Sequence, residues 1–494
     1  MQHGILLAIV LGYFGLLLSI AFYTSRGATN ESFFIGNRSS NWVLVAFGMI
    51  GTSLSGMTFI SVPGTVAAGG LGYFQVVIGY LLGYLVVAFV LLPLYYRLQL
   101  TSIYAYLEQR FGGTAYKTGA LFFILSRTLG ATLRLYLVIK VLQKFVLADM
   151  GIPFEATAIA ILLLILLYTY RGGVKTIVWT DTLQTTFMLL ALGACVWYLF
   201  RKLEFPSVGT GWKTLSDYGL TQLFNYDPAS PNFFLKQILG GAAITVAMTG
   251  LDQEMMQKNI SVRTVGDSQK NVLVLSVLQA VVVFIFLILG GLLTLHAQAT
   301  GAAISQGDDL FPTFAVNQAP FWITVCFLIG LISALFPSAD GALTALTSSF
   351  CIDILGIRKP EAALSEQAQQ KIRLRVHYSF ALLFLFCVFI FREIDNGSLI
   401  STLLTIAGYT YGPLLALFAF GMLTRRSLHP KLLPVVCILA PVLCYVIKLH
   451  DKALLNGYTI GTELLIINAA LTYIGLLLIS GKPRTSPVSG NTVA

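Results

Sequence analysis

Charge is scarce in this chain. Asp, Glu, Lys and Arg make up 11% of its 494 residues while hydrophobic residues make up 56%, against roughly 25% charged residues in soluble domains. That balance excludes a water-soluble fold and leaves a polytopic, all-α membrane protein. Metal-ligand spacing is absent as well. Cys195, Cys326, Cys351, Cys387, Cys437 and Cys444 are scattered through apolar segments, so they read as small core residues, and neither a disulfide framework nor a zinc or other transition-metal site is implied. The amino terminus, MQHGILLAIVLGYFGLLLSIAFYTSR, lacks the basic region of a signal peptide and is apolar for a spanning length; it reads as a retained helix. A net charge of +10 does not make nucleic acid a partner. The basic residues fall in short loops between apolar runs, where they set orientation.

Apolar runs near 20 residues read as membrane spans. They occur at about 4–24, 41–63, 73–97, 116–146, 151–170, 178–200, 233–256, 271–297, 320–352, 376–392, 398–423, 431–449 and 457–480, which predicts thirteen helices with the termini on opposite sides. Lys and Arg concentrate after the odd-numbered spans, at Arg97, Arg110 and Lys117, at Lys258, Arg263 and Lys270, and from Arg358 to Arg375. Positive charge favours the cytoplasmic side, so the carboxyl terminus is expected there and the amino terminus outside. Two longer stretches on the outer side, 201–232 and 298–319, are either lids or connectors.

What is present inside the spans carries the chemistry. The run WITVCFLIGLISALFPSADGALTALTSSFCID, residues 322–353, holds Asp340 at its centre. An ionisable group at membrane depth costs several kcal/mol unless solvated, paired or bound to a cation. Ser333, Pro337, Asp340, Thr344 and Thr347 share one helix face, and Pro337 is expected to open the helix and free carbonyls near Asp340. The plainer reading is a polar seam with Asp340 hydrogen-bonded or protonated. The second span is dense in small and hydroxyl residues, Gly48 to Ser61, which serve either close packing or unwinding toward an ion. An interrupted second span paired with an interrupted Pro337 span points to a transporter's central site. Arg127 and Arg134, seven apart in the fourth span, point into the bundle, where they hold a substrate carboxylate or phosphate or pair with a buried acid. Asp181 sits at the start of the sixth span, where the helix dipole favours acids. Asp252 and Glu254 read as a gate or a structural salt bridge at a cytoplasmic helix end. Tyr409 and Tyr411, beside Gly412 and Pro413, either gate a cavity or belong to an interfacial aromatic belt.

The motifs LSGMTFISVPG, GGVKTIVWTDTLQ, LDQEMMQKN, SADGALTALTSSFCIDI and YTYGPLLALFAFGMLTRR, in this order, resemble the sodium:solute symporter family from about Ser32 to Arg426. The resemblance implies sodium-coupled symport of a small polar organic solute (a sugar, amino acid, organic acid or vitamin) across the plasma membrane, or the inner membrane of a bacterium. It implies no enzyme activity and no cofactor besides Na⁺ as coupling ion; the expected partners are the solute and the lipid bilayer. It also implies a 5+5 inverted-repeat core of the leucine-transporter type. The chain then divides into an extra helix and loop (1–40), a first repeat (41–200), an extracytoplasmic loop (201–232), a second repeat (233–423), two terminal helices (424–480) and a tail (481–494). By the same resemblance sodium is held by the carbonyls of Gly51, Leu54 and Ala334 and the hydroxyl of Ser338. A further sodium position, found in some members, falls at Asp181, with Asp340 and Gly341 standing where those members carry serines. Pro337 likewise replaces a hydroxyl ligand. The solute cavity is implied at Ser53, Ser55, Thr58 and Tyr80, while Gly130 stands where sialic acid carriers place an arginine, between Arg127 and Arg134. Three competing readings are a proton-coupled symporter using Asp340, a transporter-derived solute sensor, and an intramembrane enzyme pairing Asp181 with Asp340.

Overall fold

The computed structural model describes residues 2–24, 42–100, 102–302, 306–357, 364–394 and 398–482. The loop residues expected at 25–40, with Arg26 and Arg38, and the tail from 483 to 494 lie outside the described residues. The chain folds as helices, with one two-residue antiparallel pairing of Ser427–Leu428 against Ser480–Gly481. The principal helices are α1 (Gln2–Thr24), α2 (Trp42–Ser53), α3 (Gly56–Gly64), α4 (Phe74–Val86), α5 (Gly113–Leu142), α6 (Phe154–Lys202), α7 (Phe234–Thr245), α8 (Gln253–Ile260), α9 (Val265–Thr300), α10 (Phe321–Ser349), α11 (Glu366–Glu393), α12 (Leu399–Leu423), α13 (Leu433–Leu449) and α14 (Leu464–Leu478). Among the described residues eight helices are long and apolar enough to cross a membrane, and two bent pairs raise that to ten. Two shorter apolar helices, Leu433–Leu449 and Leu464–Leu478, and the apolar first part of α6, Phe154–Leu167, fall at the remaining expected positions; the expected spans 151–170 and 178–200 are not separated by a break but run as the one 49-residue helix α6.

The breaks fall differently from the expectation. The pair α2–α3 is bent by 54°, and the second bent pair is α7–α8, at 65°, not the Pro337 helix. α10 runs unbroken through Pro337 for 29 residues. Proline removes a single ladder bond, and here its ring is covered: a Cβ on Gly51 would lie 3.5 Å from Pro337 Cγ. In α7 the helix stops after a π turn at Val246–Gly250, and Asp252 takes an extended backbone. Its Oδ1 accepts from the backbone N–H of Glu254 at 2.9 Å and of Met255 at 3.2 Å, which starts α8 as an N-cap. The break in α2–α3 centres on Ser55, whose φ of −34° and ψ of 173° leave the helical region.

α10 occupies the centre. Every residue from Gly330 to Ser349 is buried, against neighbours that include α2, α3, α5 and α6. Lipid offers no hydrophobic drive for helix association, so contact depends on close approach through small residues. α4 and α7 show this directly. A Cβ on Gly79 would overlap the carbonyl of Ile238, and one on Gly241 would overlap that of Val76. α1 is tied to α10 by a 2.7 Å hydrogen bond between Tyr13 Oη and Ser333 Oγ.

Candidate functional site

A cavity of about 90 Å³ opens at the break between α2 and α3, and Ser53, Ser55, Thr58, Tyr80, Arg127 and Arg134 all line it. Tyr73, Ile400 and Leu404 are shared between it and a vestibule of about 980 Å³. Gln222 and Asn232, from the stretch 201–232, and Gln306, from 298–319, line that vestibule. It therefore faces the side that the charge bias assigns to the exterior.

The two arginines of α5 differ in what holds them. Arg127 contacts the carboxylate of Glu254, and its Nε lies 3.8 Å from Asp252 Oδ2. Tyr411 donates to the same Asp252 oxygen at 3.2 Å. Arg134 is 8% exposed, its Nε is buried without a partner, and among the described residues it forms no hydrogen bond or ion pair. One arginine completes a structural network. The other presents a free guanidinium to the cavity.

Beside the cavity lies a buried cluster. Lys258 Nζ stands 2.8 Å from Asp181 Oδ2 and 3.4 Å from Glu254 Oε1, and it donates to Thr52 Oγ1 at 2.7 Å. Thr52 Oγ1 in turn donates to Asp181 Oδ2 at 3.2 Å. Lys258 is 3% exposed, so it does not belong to the cytoplasmic loop in which its charge was counted. Sequence reasoning missed it, although Glu254 and Lys258 carry the i,i+4 acid–base spacing of a helical ion pair. Asp340 is buried on α10, close enough to Lys258 to act on it electrostatically. Gly341 faces the Glu254 carboxylate, which fills the space a side chain there would need.

The residues implied for sodium converge in part. The break leaves the carbonyls of Gly51 and Leu54 without a hydrogen bond from any described N–H. α10 lies opposite: a Cβ on Gly56 would meet Leu335 Cα at 3.9 Å, next to Ala334 and three residues before Ser338. Ser338 Oγ donates to the Leu335 carbonyl at 2.8 Å, which turns its lone pairs free for a cation. Unwound carbonyls and a neutral hydroxyl suit Na⁺. Asp181, expected at the further sodium position, is held by Lys258. Of the expected gates, Tyr411 bonds Asp252, and Tyr409 stacks edge-on against Tyr445 at 5.8 Å in a separate apolar group around Cys444 and Leu464. Neither lines the cavity. Tyr84 and Gln279, joined by a 2.7 Å hydrogen bond, do line it and were also missed; a glutamine within the apolar run 271–297 was the available signal.

A family model described as the sodium:solute symporter family matches residues 33–429. The chain is 23% identical over 442 residues to the sodium/sialic acid symporter SiaT of Proteus mirabilis (strain HI4320), covering 85% of each protein. It is 27% identical over 433 residues to sodium-coupled monocarboxylate transporter 1 of Mus musculus, covering 83% of this chain and 67% of that one. Its fold is similar to a solved substrate-bound, outward-open Na⁺-coupled sialic acid symporter, with a TM-score of 0.82 at 19% identity over 97% of this chain and 99% of the other.

Proposed function

The chain belongs to the sodium:solute symporter family, and from that premise we propose that it imports a small organic anion by sodium-coupled alternating access. The observation that carries the anion is Arg134. A buried cation without a counter-charge is costly, and here it lines a cavity otherwise furnished with the hydroxyls of Ser53, Ser55, Thr58 and Tyr80. A carboxylate seated on the planar guanidinium fork offsets that cost with two parallel, charge-assisted hydrogen bonds. The names of the sialic acid and monocarboxylate relatives agree with such a solute. Size narrows the class further. A volume of about 90 Å³ matches about three waters at ~30 Å³ each, which suits a short carboxylic acid, with any larger portion reaching into the vestibule.

Sodium enters from the vestibule and binds the carbonyls of Gly51, Leu54 and Ala334 and the hydroxyl of Ser338. It holds the α2–α3 break against α10 and so fixes the hydroxyls that receive the solute. Solute binding then closes the vestibule, and both leave on the other side. No bond is made or broken. This 5+5 arrangement is supported by the positions of the two bent pairs, each of which opens one proposed repeat.

Uptake into proteoliposomes, with sodium and pH gradients imposed separately, tests the reading. A sodium gradient is expected to drive short carboxylates and leave neutral sugars behind. Accumulation driven by a pH gradient alone, or preference for neutral sugars, would sink it.

A further inference from the structure

We propose that Lys258 is a built-in cation, so that this chain binds and carries sodium at one position only, the break between α2 and α3. The inference rests on the symporter reading above and goes beyond it to ion stoichiometry. The Lys258 ammonium is a compact point charge with three donors, and three oxygens on three different elements surround it: Thr52 Oγ1 from α2 at 2.7 Å, Asp181 Oδ2 from α6 at 2.8 Å and Glu254 Oε1 from α8 at 3.4 Å. All three residues are buried. That is the environment of a bound cation, and here the cation is covalently attached.

The neighbouring acids are engaged in the same way. Glu254 is shared between Lys258 and Arg127, and Asp252 receives Arg127 and Tyr411. The Glu254 carboxylate also fills the space above Gly341, which closes the α10 side of the pocket. The α2–α3 break has no such occupant: the Gly51 and Leu54 carbonyls accept no described hydrogen bond. The chain thus contrasts one position where oxygens already surround a protein cation with one where oxygens are free. Lys258 also links the halves of the two bent pairs, since it sits on α8 and bonds Thr52 on α2. A mobile ion at this point would let the two breaks separate when it leaves; a tethered ammonium keeps them joined through the cycle.

The competing possibility is a sodium ion on Asp181 Oδ1, which has no hydrogen-bond partner. Equilibrium binding of radiolabelled sodium to the purified full-length protein separates the two. The wild type is expected to bind one sodium per chain with a non-cooperative isotherm. Lys258→Gln, which removes the tethered charge, is expected to bind a second sodium and to gain a sodium-dependent rise in thermal midpoint that the wild type lacks. Lys258→Arg, which keeps the charge, is expected to return to one. Two sodium ions on the wild type overturn the proposal while leaving the symporter reading intact; none on the wild type overturns both. A folded Lys258→Gln protein that still binds only one sodium overturns it too. If that variant does not fold, the wild-type count decides alone.

Discussion

At the scale of single residues, the two arginines of α5 make the sharpest contrast. Both are buried and share a helix face, yet Arg127 meets two carboxylates and Arg134 meets none. Breaking a buried pair by removing one partner costs about 3–5 kcal/mol because the other charge is stranded. Arg127→Gln is therefore expected to lower the thermal midpoint severely, leaving Glu254 and Asp252 uncompensated on that side. Arg134→Gln removes a charge that no described residue pairs directly, so stability is expected to hold or rise. Its cost falls on the solute instead. Losing a charge-assisted hydrogen bond of about 1.5–3 kcal/mol corresponds to roughly a 10- to 150-fold increase in the apparent KM for a carboxylate. Thermal unfolding and uptake kinetics on the two variants check both halves. Equal destabilisation of the two would show that Arg134 has a structural partner after all.

At the scale of elements, α8 and α10 approach so closely at Gly341 that the position admits no side chain without moving Glu254. Overpacking of this kind typically costs about 1–3 kcal/mol, and here it also displaces the carboxylate that links Arg127 to Lys258. Gly341→Ser is thus expected to lower the thermal midpoint and impair uptake, while Gly130→Ser, whose nearest neighbour is the flexible end of Leu403 at 3.7 Å, changes the midpoint little. A stable, active Gly341→Ser protein would mean that Glu254 is not fixed there. Most apolar spans were legible in the sequence because length and hydropathy are one-dimensional properties, although 151–170 and 178–200 join in one helix; the density of glycine and serine in the second span allowed either close packing or unwinding, and the structure breaks there. The second break was misplaced. Pro337 drew attention as the residue that removes a donor, but a proline ring covered by Gly51 costs one hydrogen bond and leaves the helix intact. The true break at Asp252 is announced by a capping aspartate after Gly250, a local signal outweighed by reading the acids as the end of a helix. The six solute-site candidates do line one cavity: Ser53, Ser55, Thr58 and Tyr80 came from the family resemblance, and Arg127 and Arg134 from charge at membrane depth, which selects for a shared interior. The pairing of Asp181 with Lys258 was not legible. It joins residues 77 positions apart, and a lysine near an apparent helix end looks the same in sequence whether it faces the cytoplasm or the core.

At the scale of the whole molecule, the vestibule makes access directional. It opens among the stretches 201–232 and 298–319 and narrows to the cavity past Tyr73 and Leu404. Away from the vestibule, the Lys258, Glu254 and Arg127 cluster packs the interior with buried, paired charge. The shape fits one extreme of the alternating-access cycle proposed above, open to the face that the distribution of basic residues is expected to make external. Ser401 of α12 is exposed in this vestibule, which makes it a reporter. In Ser401→Cys, a membrane-impermeant thiol reagent is expected to react from the outer face and not from the cytoplasmic face. The wild-type background should be low, because five of the six native cysteines are buried and Cys326 is partly so. In the proposed cycle sodium alone is expected to hold the α2–α3 break in the receiving arrangement and leave the labelling fast. Sodium with a short carboxylate is expected to close the vestibule and slow the labelling. Reaction from the cytoplasmic face only would invert the assigned orientation, and protection by carboxylate without sodium would separate solute closure from the ion, removing the physical basis for coupling at the break.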